Sequence, residues 1–139
     1  MAVTRVWAPY AQQVLMVVDG KSFPMLSTRH GWWVLDSPFA GHGSDYAFVL
    51  DGSDPLPDPR SPWQPYGVHG FSRMLDHSLF SWTDDRWQAP PLSSAVIYEL
   101  HTGTFSPQGT FQGVAQKLDH LVDLGITHIE LMPVNSFSG

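Results

Sequence analysis

Along the first fifty or so residues, short apolar runs are cut by turn-forming residues about every ten positions. Runs at residues 3–7, 13–18, 23–27, 32–35 and 44–50 read as strands, punctuated by Ala8-Pro9, Asp19-Gly20, Gly31, Ser37-Pro38 and Asp51-Gly52. Asp-Gly is a strong hairpin signal because the tight turn between paired strands needs positive φ at its centre. Residues 23–27 are therefore expected to pair back across Asp19-Gly20. In the fifth run, alternation puts Tyr46, Phe48 and Leu50 on one face and Ala47 and Val49 on the other. Short strands at this spacing predict an all-β, immunoglobulin-like sandwich.

The pattern changes at Ser53. The stretch Ser53-Asp-Pro-Leu-Pro-Asp-Pro-Arg-Ser-Pro-Trp-Gln-Pro65 is too rich in proline for helix or interior strand, since proline fixes φ and lacks a donor. Trp63, Tyr66, Phe71, Phe80, Trp82 and Trp87 follow, which predicts an irregular segment packed against something rather than a solvated linker. Residues 73–76 are expected to add one more strand, and Pro90-Pro91 marks a boundary. Beyond it the period becomes that of α/β structure. Residues 96–100 read as a strand, and Thr110 is placed to cap a helix with an apolar stripe at Val114, Leu118, Leu121 and Val122. Gly125 stands where a helix-ending glycine belongs, and residues 126–132 form a second strand stopped by Pro133. Strand, helix and strand with short loops make a βαβ unit with parallel strands. The expected division is a sandwich core at 1–52, a connector at 53–90 and an α/β segment at 91–139.

Charge narrows the partners. Seven Lys and Arg against 13 Asp and Glu give a net charge of −6, which disfavours nucleic acid and anionic membrane surfaces and suits a neutral ligand. There is no cysteine, so disulfides and thiolate metal sites are excluded. The start lacks the basic and apolar regions of a signal peptide, and the run at 14–18 is far too short to cross a bilayer. A cytoplasmic location is expected. Of the 139 residues, 13% are aromatic, with six Trp, which suits sugar binding and a small β core equally.

Most carboxylates flank turns, as in Asp19-Gly20, Asp51-Gly52, Asp54-Pro55 and Asp58-Pro59, where they commonly accept from nearby backbone amides. The strands of the α/β segment differ. Alternation places Glu99 and His101 on one face of the first strand, opposite Tyr98 and Leu100. On the second strand His128, Glu130 and Met132 share a face opposite Ile129 and Leu131. The apolar faces are expected to pack on helices, leaving Glu99, His101, His128 and Glu130 to form a polar network, since a buried Glu is costly unless hydrogen-bonded. Their spacing matches no zinc pattern, no phosphate loop is present, and neither metal nor cofactor is expected. Trp32 and Trp33 are adjacent on a strand and face opposite sides, so one belongs to the core. The other either stacks on a sugar or packs against the proline-rich segment or the α/β part.

Two blocks carry a family resemblance. Val96-Ile-Tyr-Glu-Leu-His-Thr-Gly-Thr-Phe105, and Gly109-Thr-Phe with Lys117-Leu-Asp-His-Leu-Val-Asp-Leu-Gly-Ile-Thr-His-Ile-Glu-Leu-Met-Pro-Val134, resemble the opening of the catalytic barrel in the alpha-amylase superfamily. Val6-Trp7-Ala8-Pro9 with Asp45-Tyr46 is similar to the N-terminal sandwich of branching and debranching enzymes. Leu56-Pro-Asp-Pro-Arg-Ser-Pro-Trp-Gln-Pro-Tyr-Gly-Val-His-Gly70 resembles the linking segment of the maltooligosyltrehalose trehalohydrolase family.

The resemblance implies that residues 91–139 begin a (β/α)8 barrel, present here only as its first βαβ unit. Glu99, His101, His128 and Glu130 would then point into the barrel and support one wall of the cleft, and the loop at 102–109 would help to wall the site. It also implies an α-glucan or maltooligosaccharide substrate for the full-length enzyme, from which trehalose is released by cleavage of an α-1,4 bond. Such enzymes retain configuration, using two carboxylates ~5–5.5 Å apart. Neither these nor the further Asp of the family has a counterpart in this sequence, and a barrel takes ~250 residues, so the chain by itself is expected to be inactive. The alternatives are the front of a glycogen branching enzyme and a non-catalytic glucan-binding module.

Overall fold

The computed structural model describes residues 3–137, so the outermost residues of the first and last expected segments, 1–2 and 138–139, lie outside it. The chain forms two compact units. Among the described residues one comprises 3–81 with 136–137, the other Trp82–Asn135.

The first unit contains β1 (Val3–Trp7), β2 (Val14–Val18), β3 (Lys21–Pro24), β4 (Leu26–Ser27), β5 (Trp32–Asp36), β6 (Asp45–Leu50) and β7 (Ser72–Arg73). They form two antiparallel sheets, ordered β1-β5-β4 and β3-β2-β6-β7. Asp19 and Gly20 both take positive φ, 48° and 77°, and Val18 pairs with Lys21 across them, as the Asp-Gly signal predicts. The run at 23–27 is not one strand, however. β3 pairs with β2, whereas β4 pairs with β5 in the other sheet. Pro24 lacks a donor with which to extend the first ladder, and Met25, 5% exposed, turns its side chain into the core as the chain changes sheets. The strand expected at 73–76 lies earlier, with Ser72 opposite Tyr46 and Arg73 opposite Asp45.

The sheets share one core. Val6 and Trp33 come from the first, Val14, Met16, Val18, Tyr46 and Phe48 from the second, and Ala8, Met25 and Ala40 from the connections. The proline-rich stretch is anchored to β6 by backbone pairing between Phe48 and Leu56, at 2.8 and 2.7 Å.

The second unit holds β8 (Ile97–Leu100), α1 (Thr102–Phe105), α2 (Phe111–Ala115), α3 (Leu118–Asp123) and β9 (His128–Leu131), with β8 and β9 parallel. Thr110 caps α2 by accepting from the Gly113 amide at 3.1 Å. The predicted helix is divided, because the backbone leaves helical geometry at Lys117. This narrows the stripe. Val114 and Leu121 are buried with Leu100, while Leu118 and Val122 are exposed. Gly125, at φ 81°, ends α3 by donating to Val122, and Ile126 donates back to Leu121. Ile126 also packs on the Leu121 cluster, which completes a Schellman cap. Among the described residues no helix is long and apolar enough to cross a membrane.

Candidate functional site

In the second unit the parallel register sets Ile97 beside His128, Glu99 beside Glu130 and Leu100 beside Leu131. Alternation then gives two faces, as expected. Leu100 is buried against Val114 and Leu121, Ile129 packs on the same cluster, and Tyr98 meets Phe105 edge-on at 5.9 Å. Glu99 and Glu130 lie on the other face and are exposed, with His128 half-buried beside them. His101 follows β8 and heads α1, its carbonyl accepting from the Thr104 and Phe105 amides.

Among the described residues no hydrogen bond joins any two of Glu99, His101, His128 and Glu130. Each histidine instead meets a threonine. His128 Nδ1 lies 2.8 Å from Thr127 Oγ1, and His101 Nδ1 lies 3.4 Å from Thr104 Oγ1. Thr127 Oγ1 also accepts the Val96 amide at 2.9 Å, so the start of β8 and the His128 ring share one hydroxyl. The register sets Glu99 beside Glu130, and two carboxylates bring no N–H donor to each other. Thr127 was legible only as a neighbour of His128, because its bond to Val96 spans 31 residues. The loop expected at 102–109 opens with α1, and Thr102 Oγ1 at its start and Ser106 Oγ just past its end are buried without a partner among the described residues. No group of three or more His, Cys, Asp or Glu among the described residues could hold a metal ion.

In the first unit Trp33 is the core member of its pair, 8% exposed, with Nε1 donating to the Ala8 carbonyl at 3.1 Å. Burial removes its face from any ligand. Trp32 is half-buried, and the Arg60 guanidinium of the connector lies 5.8 Å from its ring centre.

The connector signature Gly67-Val-His-Gly70 has a geometric cause. Gly67 has φ 77°, and a Cβ on Gly70 would stand 2.5 Å from Tyr66 Cβ and 2.8 Å from its carbonyl oxygen. That tight approach places Tyr66, whose hydroxyl donates to Asp45 Oδ2 at 3.1 Å and accepts from Arg73 Nη2 at 2.9 Å. Arg73 also forks onto Asp45, with Nε and Nη2 at 2.6 and 2.9 Å from its two oxygens, and lies over the Trp63 ring at 5.2 Å. Gly70→Ala should therefore displace Tyr66 and cost about 1–3 kcal/mol as an overpacking change, read from the urea midpoint.

The Arg73 hydrogen bond, with help from Tyr66 and the Arg73 charge, holds the Asp45 carboxyl below its ordinary value despite its desolvation. A depressed folded-state value adds stability that is present above the unfolded value and is lost as pH falls through the folded one. The stability gap between wild type and Arg73→Gln should hence narrow as pH is lowered from ~7 to ~3, past the usual carboxylate value. A gap that is constant across that range would show that the pair adds nothing.

Comparison with known proteins follows the same lines. No family model matches the chain. It is 47% identical over 138 residues to the malto-oligosyltrehalose trehalohydrolase of Arthrobacter ramosus, covering 96% of this chain and 24% of that protein. The 1,4-alpha-glucan branching enzyme of Vibrio parahaemolyticus is more distant, at 33% identity over 94% of this chain and 20% of its own length. Among solved structures, a Salmonella typhimurium protein provisionally named an alpha amylase superposes with a TM-score of 0.93 at 39% identity, covering 99% of this chain and 24% of that one. A mutant pullulanase from Paenibacillus barengoltzii, solved with maltotetraose, gives 0.75 at 28% identity, over 98% of this chain and 26% of that one. Over 96% of its residues this chain is a sequence relative of the malto-oligosyltrehalose trehalohydrolases, of whose length it spans about a quarter.

Proposed function

We propose that this chain serves in a glycoside hydrolase that releases trehalose from maltooligosyltrehalose by cleaving an α-1,4 bond. The observation that carries this reading is the 47% identity to a trehalohydrolase across nearly every described element, against 33% to a branching enzyme. Residues 1–52 are the core of its immunoglobulin-like sandwich, residues 53–90 the connector, and residues 91–139 the opening βαβ unit of a (β/α)8 barrel. On this reading Glu99, His101, His128 and Glu130 line the barrel interior and support one wall of the cleft. None of them is assigned as nucleophile or acid. The loop after β8 lies on the C-terminal side of the strand, where active sites of that fold gather. An α-glucan substrate is supported by the maltotetraose bound to the related pullulanase. A cytoplasmic location belongs to the same proposal.

Product analysis of the full-length protein on maltooligosyltrehalose tests this. Free trehalose is expected, whereas new α-1,6 branches in an α-glucan would overturn the proposal in favour of a branching enzyme. A purely glucan-binding role is tested through Trp32, by affinity electrophoresis in amylose. With Arg60 over its ring, Trp32→Ala should leave migration unchanged.

A further inference from the structure

We propose that the first unit carries a separate site for a small phosphate ester, in the cavity beside β1, with Arg5 and Arg60 as the anion-binding groups. The cavity is about 310 Å³ and is bounded by Thr4 and Arg5 of β1, Tyr46 of β6, and Asp58 and Arg60 of the connector. That volume is at the small end of ligand pockets, enough for a compact metabolite.

The charge pattern singles it out. The protein has only seven Lys and Arg against 13 acidic residues, yet two of the seven line this one cavity. Among the described residues neither guanidinium makes a side-chain hydrogen bond or ion pair, in contrast to Arg73, which bonds to Asp45 and Tyr66. The Arg60 guanidinium carbon lies 5.8 Å from the Trp32 ring centre, within cation–π range. Asp58 is the carboxylate of the cavity, and both of its oxygens are in use. Oδ1 accepts the Arg60 amide at 2.8 Å and Oδ2 the Tyr46 hydroxyl at 2.7 Å. Two cations and one occupied carboxylate leave the cavity positive within an acidic protein.

Two forks suit the tetrahedral oxygens of a phosphate, which accept several charge-assisted hydrogen bonds at once. A neutral glucan fits less well, because it brings no negative charge to the two guanidinium groups. Val3, Thr4, Tyr46 and Met74 complete the lining, a mixed polar and apolar wall suited to the hydroxylated body of such an ester.

The test is calorimetric titration of the full chain with glucose 6-phosphate, inorganic phosphate and glucose. One-to-one binding of glucose 6-phosphate is expected, with glucose inert. Arg5→Gln and Arg60→Gln should each weaken it at least ~10-fold, the loss expected when a hydrogen bond to a charged group is removed. Arg86→Gln, in the other unit, should leave affinity unchanged. Having both variants keeps the test decisive should loss of Arg60 loosen the connector, since Arg5 holds nothing in place. Equal affinity for inorganic phosphate would support the site and identify the free ion as its source. Absence of binding up to ~10 mM, equal affinity in both Arg variants, or glucose binding as tightly as its phosphate would each overturn the proposal.

Discussion

Phe48→Ala should remove about 3–5 kcal/mol of stability from the sandwich. Phe48 is 1% exposed, lies opposite Met16 in the centre of the larger sheet, and meets Tyr46 edge-on at 5.8 Å. Truncation removes most of the ring's contacts and leaves a hole that a β strand, tied into its ladder, cannot collapse to fill. Its backbone also pairs with Leu56, so relaxation at Phe48 is transmitted to the proline-rich connector. Urea unfolding of wild type and variant measures this, with the midpoint expected to fall at constant slope. A loss below ~1 kcal/mol would mean the core repacks freely around position 48, contrary to its close packing. The size matters because domains have a margin of only ~5–15 kcal/mol.

Local patterns were legible wherever one residue type had one physical task. Asp19-Gly20 announced a hairpin because few other pairs tolerate two positive φ values, and Thr110 and Gly125 announced helix ends because cap chemistry is local. The alternation in Tyr98-Glu99-Leu100 and His128-Ile129-Glu130 separated a packed face from a polar one, and Leu100 and Ile129 do pack on the helices. Partners far apart in sequence were not legible. The break at Met25 depends on which sheet each side of it joins, and both halves have strand-like composition. The Lys117 kink is hidden because the apolar period runs through it.

Carboxylates illustrate the same limit. Asp51 does sit at a turn, yet its Oδ1 accepts the amides of Gln12 and Gln13, 39 and 38 residues away. Asp58 makes the local bond to the Arg60 amide that its place before Pro59 suggests, and also a buried one to Tyr46 that nothing in the sequence announces. The motif Gly67-Val-His-Gly70 was recognisable as a pattern, but its cause, the approach to Tyr66, is a matter of coordinates.

Asp58→Ala should have the second large effect, about 2–4 kcal/mol, and more than Tyr46→Phe. The two residues share one bond, but they leave different orphans. Removing the carboxylate strands the Tyr46 hydroxyl in a site where the residue is 4% exposed, and also frees the Arg60 amide. Removing the hydroxyl leaves a carboxylate that keeps the Arg60 amide as its backbone donor. A double-mutant cycle separates the pair from its surroundings, with a coupling of about 0.5–3 kcal/mol expected for residues in contact. High pH supplies an independent check. Burial, followed by the Asp58 hydrogen bond and charge, pushes the Tyr46 hydroxyl well above its ordinary value. A raised folded-state value gives stability that is whole below the unfolded value and is lost as pH rises towards the folded one, so wild type should begin to lose stability above ~10. Tyr46→Phe has no proton to lose there and should hold its stability further into alkali. If both proteins decline together above ~10, ionisation of the buried Tyr46 hydroxyl is not what costs the wild type its stability there.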